Sequence, residues 1–330
     1  MNPGDRWRGI GALAYTDRVP DSPTKAGRQS PPASQPARWT TRGLLEWMTG
    51  AFKGAELDSP RLFAELLLSH TIGCERLQLY TDVDRPATPL ERESLRPLVM
   101  RALKHEPVQY LVGESWFYTL PFHVDSRVLI PRPSSESLVE AVLQHARLSA
   151  GSDRALIADV CCGSGCITAA LLKRLPGARA VATDVSDDAL EVAKMNLHRH
   201  GFDDRSELLQ GDLLAPLMSH PMAKELHYLV ANPPYIPDCE WDEVPANVKG
   251  FEPTLALRGG TDGLDLVRPL LTDGPKLLRR DGLIAVEVAA STAREALAIA
   301  QATPLLEDAR IENDLDGLER AVVAVRSDKQ

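Results

Sequence analysis

Downstream of Pro133 the chain alternates short apolar runs with amphipathic stretches of helix length, and few folds accommodate that pattern. A helix is expected over roughly 135–148, followed by a strand at ALIADV (155–160). After a glycine turn comes a second helix, then a strand at ARAVATD (178–184) and a helix from about Asp187 to Arg199. Further strands are expected at ELLQGD (207–212), HYLVAN (227–232), GLIAVEV (282–288), and twice more near the C-terminus. Strands separated by helices of this length imply an α/β fold: a doubly wound, Rossmann-like, mostly parallel sheet of seven strands with ligands at the strands' carboxyl ends.

The upstream sequence differs in kind. Residues 1–38 are rich in Pro, Ser, Gly and Arg with little apolar periodicity, so a disordered tail is expected there. A small helical domain is expected over 39–106. Leu44, Leu45, Met48 and Phe52 share one helical face. Ser59-Pro60 has the form of an N-cap followed by proline, with Leu62, Phe63, Leu66 and Leu67 behind it. Thr88 and Glu91 have the spacing of a capping box, ahead of Leu95, Leu98, Val99 and Leu103. Residues 107–133 (Phe117, Leu120, Phe122, Val124, Val128, Ile130) suggest a β-hairpin or short strands leading into a domain over 134–330.

The formal charge of −9 on 330 residues leaves no global basic field for nucleic acid or an anionic membrane. No apolar run approaches the roughly 20 residues needed to span a bilayer, and the first residues lack the pattern of a secretory signal. Arginines recur near the N-terminus, but Asp5, Asp17 and Asp21 are interspersed, which organelle transit peptides avoid. A cytoplasmic monomer is expected. The five cysteines fit neither a disulfide framework nor a paired zinc pattern, so they are expected to be reduced thiols, with no metal.

The stretch Asp159-Val-Cys161-Cys162-Gly163-Ser164-Gly165-Cys166 falls where a buried strand turns into a helix. Glycines there let the backbone fold tightly and bring main-chain N–H groups against a ligand at a helix N-terminus. Ala169 and Ala170 stand beyond it, without the third glycine of a pyrophosphate-binding turn. Asp184 ends the next strand about twenty residues on, where a carboxylate accepts hydrogen bonds from ribose hydroxyls. Gly211-Asp212 ends the third strand, within reach of an adenine amino group. Together these three features indicate a nucleotide or nucleoside site.

The fourth parallel strand runs directly into Asn232-Pro233-Pro234-Tyr235. Two prolines hold Asn232 on a stiff loop at the carboxyl end of the sheet. An amide or exocyclic amino nitrogen is a poor nucleophile because its lone pair is delocalised. It gains from two acceptors for its N–H bonds, arranged so that the lone pair turns toward an incoming group. The Asn232 side-chain oxygen and the Pro233 carbonyl supply such acceptors, and the Tyr235 ring can stack on a planar group. Fixed dipoles of this kind act by preorganisation and positioning.

In order and spacing, DVCCGSGC, ATDVS, GDL and NPPY resemble the class I S-adenosylmethionine-dependent methyltransferases that act on amino or amide nitrogen. Three further stretches, EPVQYLVGESWFYTLPFHVDSRVLIPRP (106–133), FEPTLALRGGTDGLDLV (251–267) and IENDLDGLERAVVA (311–324), are similar to the HemK/PrmC family. Members of that family methylate the N5 amide nitrogen of the glutamine in the GGQ motif of class-I peptide release factors. The resemblance runs from about residue 40 to the end. It departs after IPRP, where Ser134 and Ser135 replace the family's usual acid and threonine, although Glu136 is retained.

The resemblance implies cofactor contacts at Asp159, Cys161, Cys162, Gly163, Ser164, Gly165, Asp184, Asp212, Leu213 and Asn232, with S-adenosylhomocysteine as product. It implies that Asn232, Pro233, Pro234 and Tyr235 hold the glutamine and that Phe117 covers the sulfonium. Arg132, Glu136 and Glu252 would shape the substrate pocket, and the helical domain would grip the protein substrate. Two alternatives stay open. CCGSGC resembles the CTGSGC of sister enzymes that methylate glutamine in ribosomal protein L3, although those lack the DLDGLER-like ending. NPPY also occurs in nucleic-acid amino-methyltransferases, which need a basic surface and base flipping.

Overall fold

The computed structural model describes residues 39–148 and 154–327, so the expected tail over 1–38 lies outside the described residues. The chain opens with helices α1 (Thr41–Gly54), α2 (Pro60–Ile72), α3 (Gln78–Thr81), α4 (Pro89–Ala102) and α5 (Val108–Val112). Thr40 caps α1 by accepting from the Gly43 N–H at 3.2 Å, and Leu44, Leu45, Met48, Ala51 and Phe52 are buried. The capping box of α4 forms as expected: Glu91 N–H reaches Thr88 Oγ1 at 3.2 Å, and Thr88 N–H reaches Glu91 Oε2 at 2.8 Å.

Two local expectations fail in α2. Ser59 sits at φ 51°, ψ 54° and its hydroxyl caps nothing. That left-handed backbone departs from the extended geometry from which a cap side chain reaches the first turn. The buried face is Ala64, Leu67 and Leu68, while Leu62 is 38 % exposed. LFAELLL is apolar on nearly every side, so periodicity alone does not decide which side faces the core.

Residues 107–133 likewise begin with a helix, not a strand. α5 ends at Gly113 with φ 71°, and the hairpin is β1 (Glu114–Phe117) against β2 (Leu120–His123). Its two turn residues, Tyr118 and Thr119, adopt φ 48° and 66° without the glycine or asparagine that normally marks such a turn. The Tyr118 N–H donates to Glu136 Oε1 at 2.9 Å, and its hydroxyl donates to Glu140, so tertiary contacts hold the turn.

The remaining elements are α6 (Glu136–Leu148), β3 (Leu156–Val160), α7 (Cys166–Arg174), β4 (Arg179–Asp184), α8 (Asp187–Arg199), β5 (Ser206–Gln210), α9 (Ala215–Met218), β6 (Leu226–Ala231), α10 (Ala246–Phe251), α11 (Val267–Asp273), β7 (Leu278–Glu287), α12 (Ala293–Ala302), β8 (Leu306–Asn313) and β9 (Glu319–Arg326). The seven-stranded sheet has the order β5-β4-β3-β6-β7-β9-β8. Its first five strands are parallel, and β9 runs antiparallel to both β7 and β8.

Both faces of the sheet are buried, which explains the near-continuous apolar strands. Ile157, Tyr228, Val230, Leu283 and Ala285 point to one face, with Leu138 and Val142 of α6 and Ile167 and Leu171 of α7. Ala158, Val160, Leu229, Ala231, Ile284 and Val286 point to the other, with Leu270 and Leu271 of α11 and Ala293 and Ala296 of α12. The order reverses at β3, flanked by β4 and β6, and a crevice opens there at the carboxyl ends.

The hairpin is fastened beside that crevice by Asn196 of α8. The Asn196 amide accepts from the His123 N–H at 2.7 Å and donates to the carbonyls of His123 at 3.0 Å and Ser164 at 2.9 Å. One side chain therefore ties the hairpin to the glycine loop.

Candidate active site

The crevice holds a cavity of about 420 Å³, a size suited to a nucleoside-scale ligand. Its floor is the turn between β3 and α7. Cys161 (φ 61°), Gly163 (φ 52°) and Gly165 (φ 75°) all take left-handed backbone conformations, which fold the loop back on itself. Gly165 abuts α8, where an added Cβ would lie 3.3 Å from the Ala193 Cβ. At Gly163, in contrast, a Cβ would meet no protein atom within 4 Å, although the residue lines the cavity.

Asp184, at the end of β4, accepts from the Gly163 N–H at 2.9 Å through Oδ2 and from the Ser186 N–H at 3.0 Å through Oδ1. Burial pushes its carboxyl above the ordinary range, and these main-chain donors oppose the shift. Gly211, Asp212 and Leu213 follow β5 and line the same side. The strand ends at Gln210, short of the expected Gly211-Asp212, and a Cβ on Gly211 would lie 2.4 Å from Pro216 Cγ.

Asp159 lies beneath the loop, wholly buried. Its Oδ2 accepts from the Thr168 N–H at 3.0 Å and the Thr168 hydroxyl at 2.5 Å, while Oδ1 has no partner. Burial pushes this carboxyl up to about 7. Burial likewise raises the thiols of Cys161, Cys162 and Cys166, with Cys166 at about 12, so they are protonated at neutral pH. All five cysteines are free, matching the expectation of reduced, small side chains. Among the described residues no group of three or more His, Cys, Asp or Glu side chains is placed to hold a metal ion.

The opposite wall is Asn232 and Pro234, at the carboxyl end of β6. Asn232 Nδ2 donates to Ser135 Oγ at 2.9 Å. The Tyr235 hydroxyl donates to Glu287 Oε1 at 3.1 Å, and burial raises the Tyr235 phenol above its ordinary range. Arg132 lines the cavity and pairs with the buried Glu252, whose second oxygen accepts from the Ile130 N–H at 3.1 Å.

The crevice therefore brings together Arg132, Cys161, Cys162, Gly163, Ser164, Asp184, Asp212, Leu213, Asn232 and Pro234. Other expected residues sit behind this wall. Asp159 and Gly165 support the loop from below, Pro233 is buried, and Glu252 acts through Arg132. Glu136 receives the Tyr118 N–H instead of facing the cavity. Phe117 does not border it either: its ring is 1 % exposed and packs edge-on to Phe122 in the core shared with α6 and α7. The strand alternation that points Ser115 and Phe117 inward explains this, and the expected cover over a cationic ligand is not formed by that ring.

Several site residues carry no short motif and were missed. Ser135 and Glu287 are the clearest, and an acid inside the apolar run GLIAVEV was the one available signal for Glu287. Gly259 and Gly263 clamp the loop after Asn232. A Cβ at Gly259 would lie 2.7 Å from Tyr235 Cα, and one at Gly263 would lie 2.5 Å from the Tyr235 carbonyl oxygen. Main-chain bonds from Ile236 to Leu257 and from Gly259 to Ile236, each 2.9 Å, pin the two segments together.

Comparison with known proteins accords with this architecture. Residues 43–113 match the PrmC N-terminal domain family, and residues 134–244 match the methyltransferase small domain family. The chain is 41 % identical to the release factor glutamine methyltransferase of Chlorobaculum tepidum, over 78 % of this chain and 88 % of that protein. It is 37 % identical to the protein of the same name from Rhodopirellula baltica, over 86 % and 95 % of the two lengths. With the Geobacter sulfurreducens protein of that name the figures are 36 %, 87 % and 97 %. A sheet order with a switch at β3, a glycine turn ending in a nucleoside-sized cavity and relatives of this identity over nearly their full lengths agree, and the chain belongs to the release factor glutamine methyltransferase family.

Proposed function

We propose that this protein transfers a methyl group from S-adenosylmethionine to the N5 side-chain amide nitrogen of the glutamine in the GGQ motif of class-I peptide release factors. The observation that carries the reading is Asn232, a carboxamide on a proline-stiffened loop that shares a cavity with Asp184 and the glycine turn.

The residues present fit S-adenosylmethionine. Gly163 leaves open space where a side chain would stand, Asp184 offers a ribose-binding carboxyl, and Asp159 keeps an unpartnered oxygen under the loop. In this reading Cys161, Cys162, Gly163 and Ser164 hold the cofactor's chain, Asp184 its ribose, and Asp212 with Leu213 its base. The bound cofactor supplies an electrophilic methyl group on a sulfonium.

The protein's task is to present the amide nitrogen. Asn232 Oδ1 and the Pro233 carbonyl accept its two N–H bonds, which turns the lone pair toward the cofactor side of the cavity. Both acceptors are set before substrate arrives, because the two prolines and the Gly259–Gly263 clamp leave the loop little freedom. Arg132, held by Glu252, lines the mouth through which a peptide would enter. The helices upstream of Gly113 would contact the body of the release factor. The reaction so read takes place in the cytoplasm, and among the described residues no helix is long and apolar enough to cross a membrane.

The test is to incubate the purified protein with labelled S-adenosylmethionine, a release factor, and that factor's GGQ glutamine-to-alanine variant. Mass spectrometry should find one methyl on the GGQ glutamine and none on the variant. Labelling of both proteins alike, or of neither, would sink the assignment.

A further inference from the structure

Asn232 can accept an N–H from a substrate amide only if its oxygen, and not its NH₂ group, faces the cavity. The two ends of a carboxamide are alike in shape, so neighbouring hydrogen bonds decide which end points where. Asn232 Nδ2 donates to Ser135 Oγ at 2.9 Å. A hydroxyl that accepts this bond keeps its own proton for a further acceptor.

That acceptor is the carboxyl of Glu287, the last residue of β7, which is wholly buried. The Ser134 hydroxyl reaches Oε1 at 3.2 Å and the Tyr235 hydroxyl reaches the same oxygen at 3.1 Å, while the Ser135 hydroxyl lies beside the carboxyl and favours its charged form. Three hydroxyls thus converge on one carboxyl at the end of an apolar strand, while Glu287 Oε2 is buried without a partner. Placing an acid here costs free energy that an apolar residue would not, so packing alone does not account for it. Burial raises the carboxyl above its ordinary range, but a carboxyl carbonyl accepts in either protonation state.

We infer that Glu287 is a positioning residue: acting through Ser135 and Tyr235, it fixes the Asn232 carboxamide with its oxygen toward the substrate amide. The inference rests on the methyl-transfer reading above. Glu287 touches neither substrate nor cofactor. It supplies an acceptor that makes Ser135 accept from Asn232, and it anchors the Tyr235 ring on the same loop.

The experiment compares Ser135→Ala, Glu287→Met, Glu287→Gln and the Ser135→Ala/Glu287→Met double variant, with Asn232→Ala as control. Steady-state methylation of the release factor is measured beside calorimetric binding of S-adenosylhomocysteine, with thermal unfolding to verify folding. Ser135→Ala and Glu287→Met should each lower kcat about 10- to 100-fold, roughly the effect of misplacing one preorganised donor or acceptor. KM for the factor and Kd for S-adenosylhomocysteine should stay within about threefold, since Glu287 does not line the cavity and Ser135, which does, has its hydroxyl taken up by Asn232. Glu287→Gln, which keeps a carbonyl acceptor, should recover most of the loss. The double variant should be no worse than the poorer single one, as for members of one network.

A stably folded Glu287→Met enzyme with unaltered kcat would overturn the inference, as would single losses that multiply in the double variant or appear in KM. If Glu287→Met does not fold, Ser135→Ala decides alone by the same split between kcat and KM. Full activity in Asn232→Ala would instead remove the methyl-transfer reading on which all of this stands.

Discussion

Gly163 reaches Asp184 across 21 residues of chain, whereas Asn232 reaches Ser135 across 97 and Tyr235 reaches Glu287 across 52. The two walls of the cavity are thus built differently. On the proposed reading the cofactor side is the one made of strand ends and tight turns, each held by main-chain N–H groups close by in sequence. On the same reading the substrate side is a short stiff loop whose side chains are oriented by residues from the turn before α6, from β7 and from the Gly259–Gly263 segment. A wall of the first kind tolerates side-chain change and depends on backbone shape. One of the second kind fails when a distant partner is altered.

The sharpest way to separate the walls is Asn232→Ala. It should lower methyl transfer by about 10²–10³-fold while S-adenosylhomocysteine still binds within severalfold of wild type by calorimetry. Comparable loss of both would mean that the walls are not separable.

Gly263→Ala tests the long-range clamp. Its φ of 76° disfavours a side chain, and the new Cβ would press on the Tyr235 carbonyl oxygen. Left-handed strain together with overpacking predicts a loss of about 2–4 kcal/mol in chemical denaturation, with transfer impaired more than cofactor binding.

Asp159 titrates near 3.9 in an unfolded chain and about 7 here, because burial disfavours its charge. A raised carboxyl contributes stability below its unfolded value and loses it as pH rises through the folded value. Without cofactor, wild type should therefore lose about 1–3 kcal/mol between pH 4 and pH 8 relative to Asp159→Asn. Asp184 and Glu287 are raised too, so the variant's slope should shrink without vanishing. Parallel stability curves for the two proteins would show that the buried carboxyl is not held neutral.

The smallest effect is expected for Asp184→Asn. The neutral side chain has one oxygen in place of two, so it keeps one of the bonds from Gly163 and Ser186 and loses the other, which loosens the loop without removing its support. The cofactor, by contrast, loses a charged acceptor, which predicts about tenfold weaker binding and near-normal kcat at saturation. A change in kcat larger than that in Kd would place Asp184 with the other wall.

This contrast also explains what could be read in advance. The strands, the order of glycine turn, Asp184 and Gly211-Asp212, and the Thr88 capping box are local patterns, and they appear in the expected order, although β5 stops at Gln210 before reaching Gly211-Asp212. The failures lie where local sequence was silent or ambiguous. Ser59 has the residue type of a cap but takes a left-handed backbone. Val108–Val112 continues the helical segment into a stretch expected to hold a hairpin or short strands. Phe117 is aromatic and near the site in sequence, yet the pleat of β1 turns it into the core.

Sequence by itself determined the sheet and the glycine turn after β3, because alternating strand and helix periods leave one class of fold and because glycine and proline act on their own backbone. Only the tertiary structure decided that Ser135 receives the Asn232 amide, where the Tyr235 hydroxyl lodges, and which aromatic rings are core. Those outcomes depend on hydrogen bonds and contacts between residues dozens of positions apart, and no local propensity encodes them.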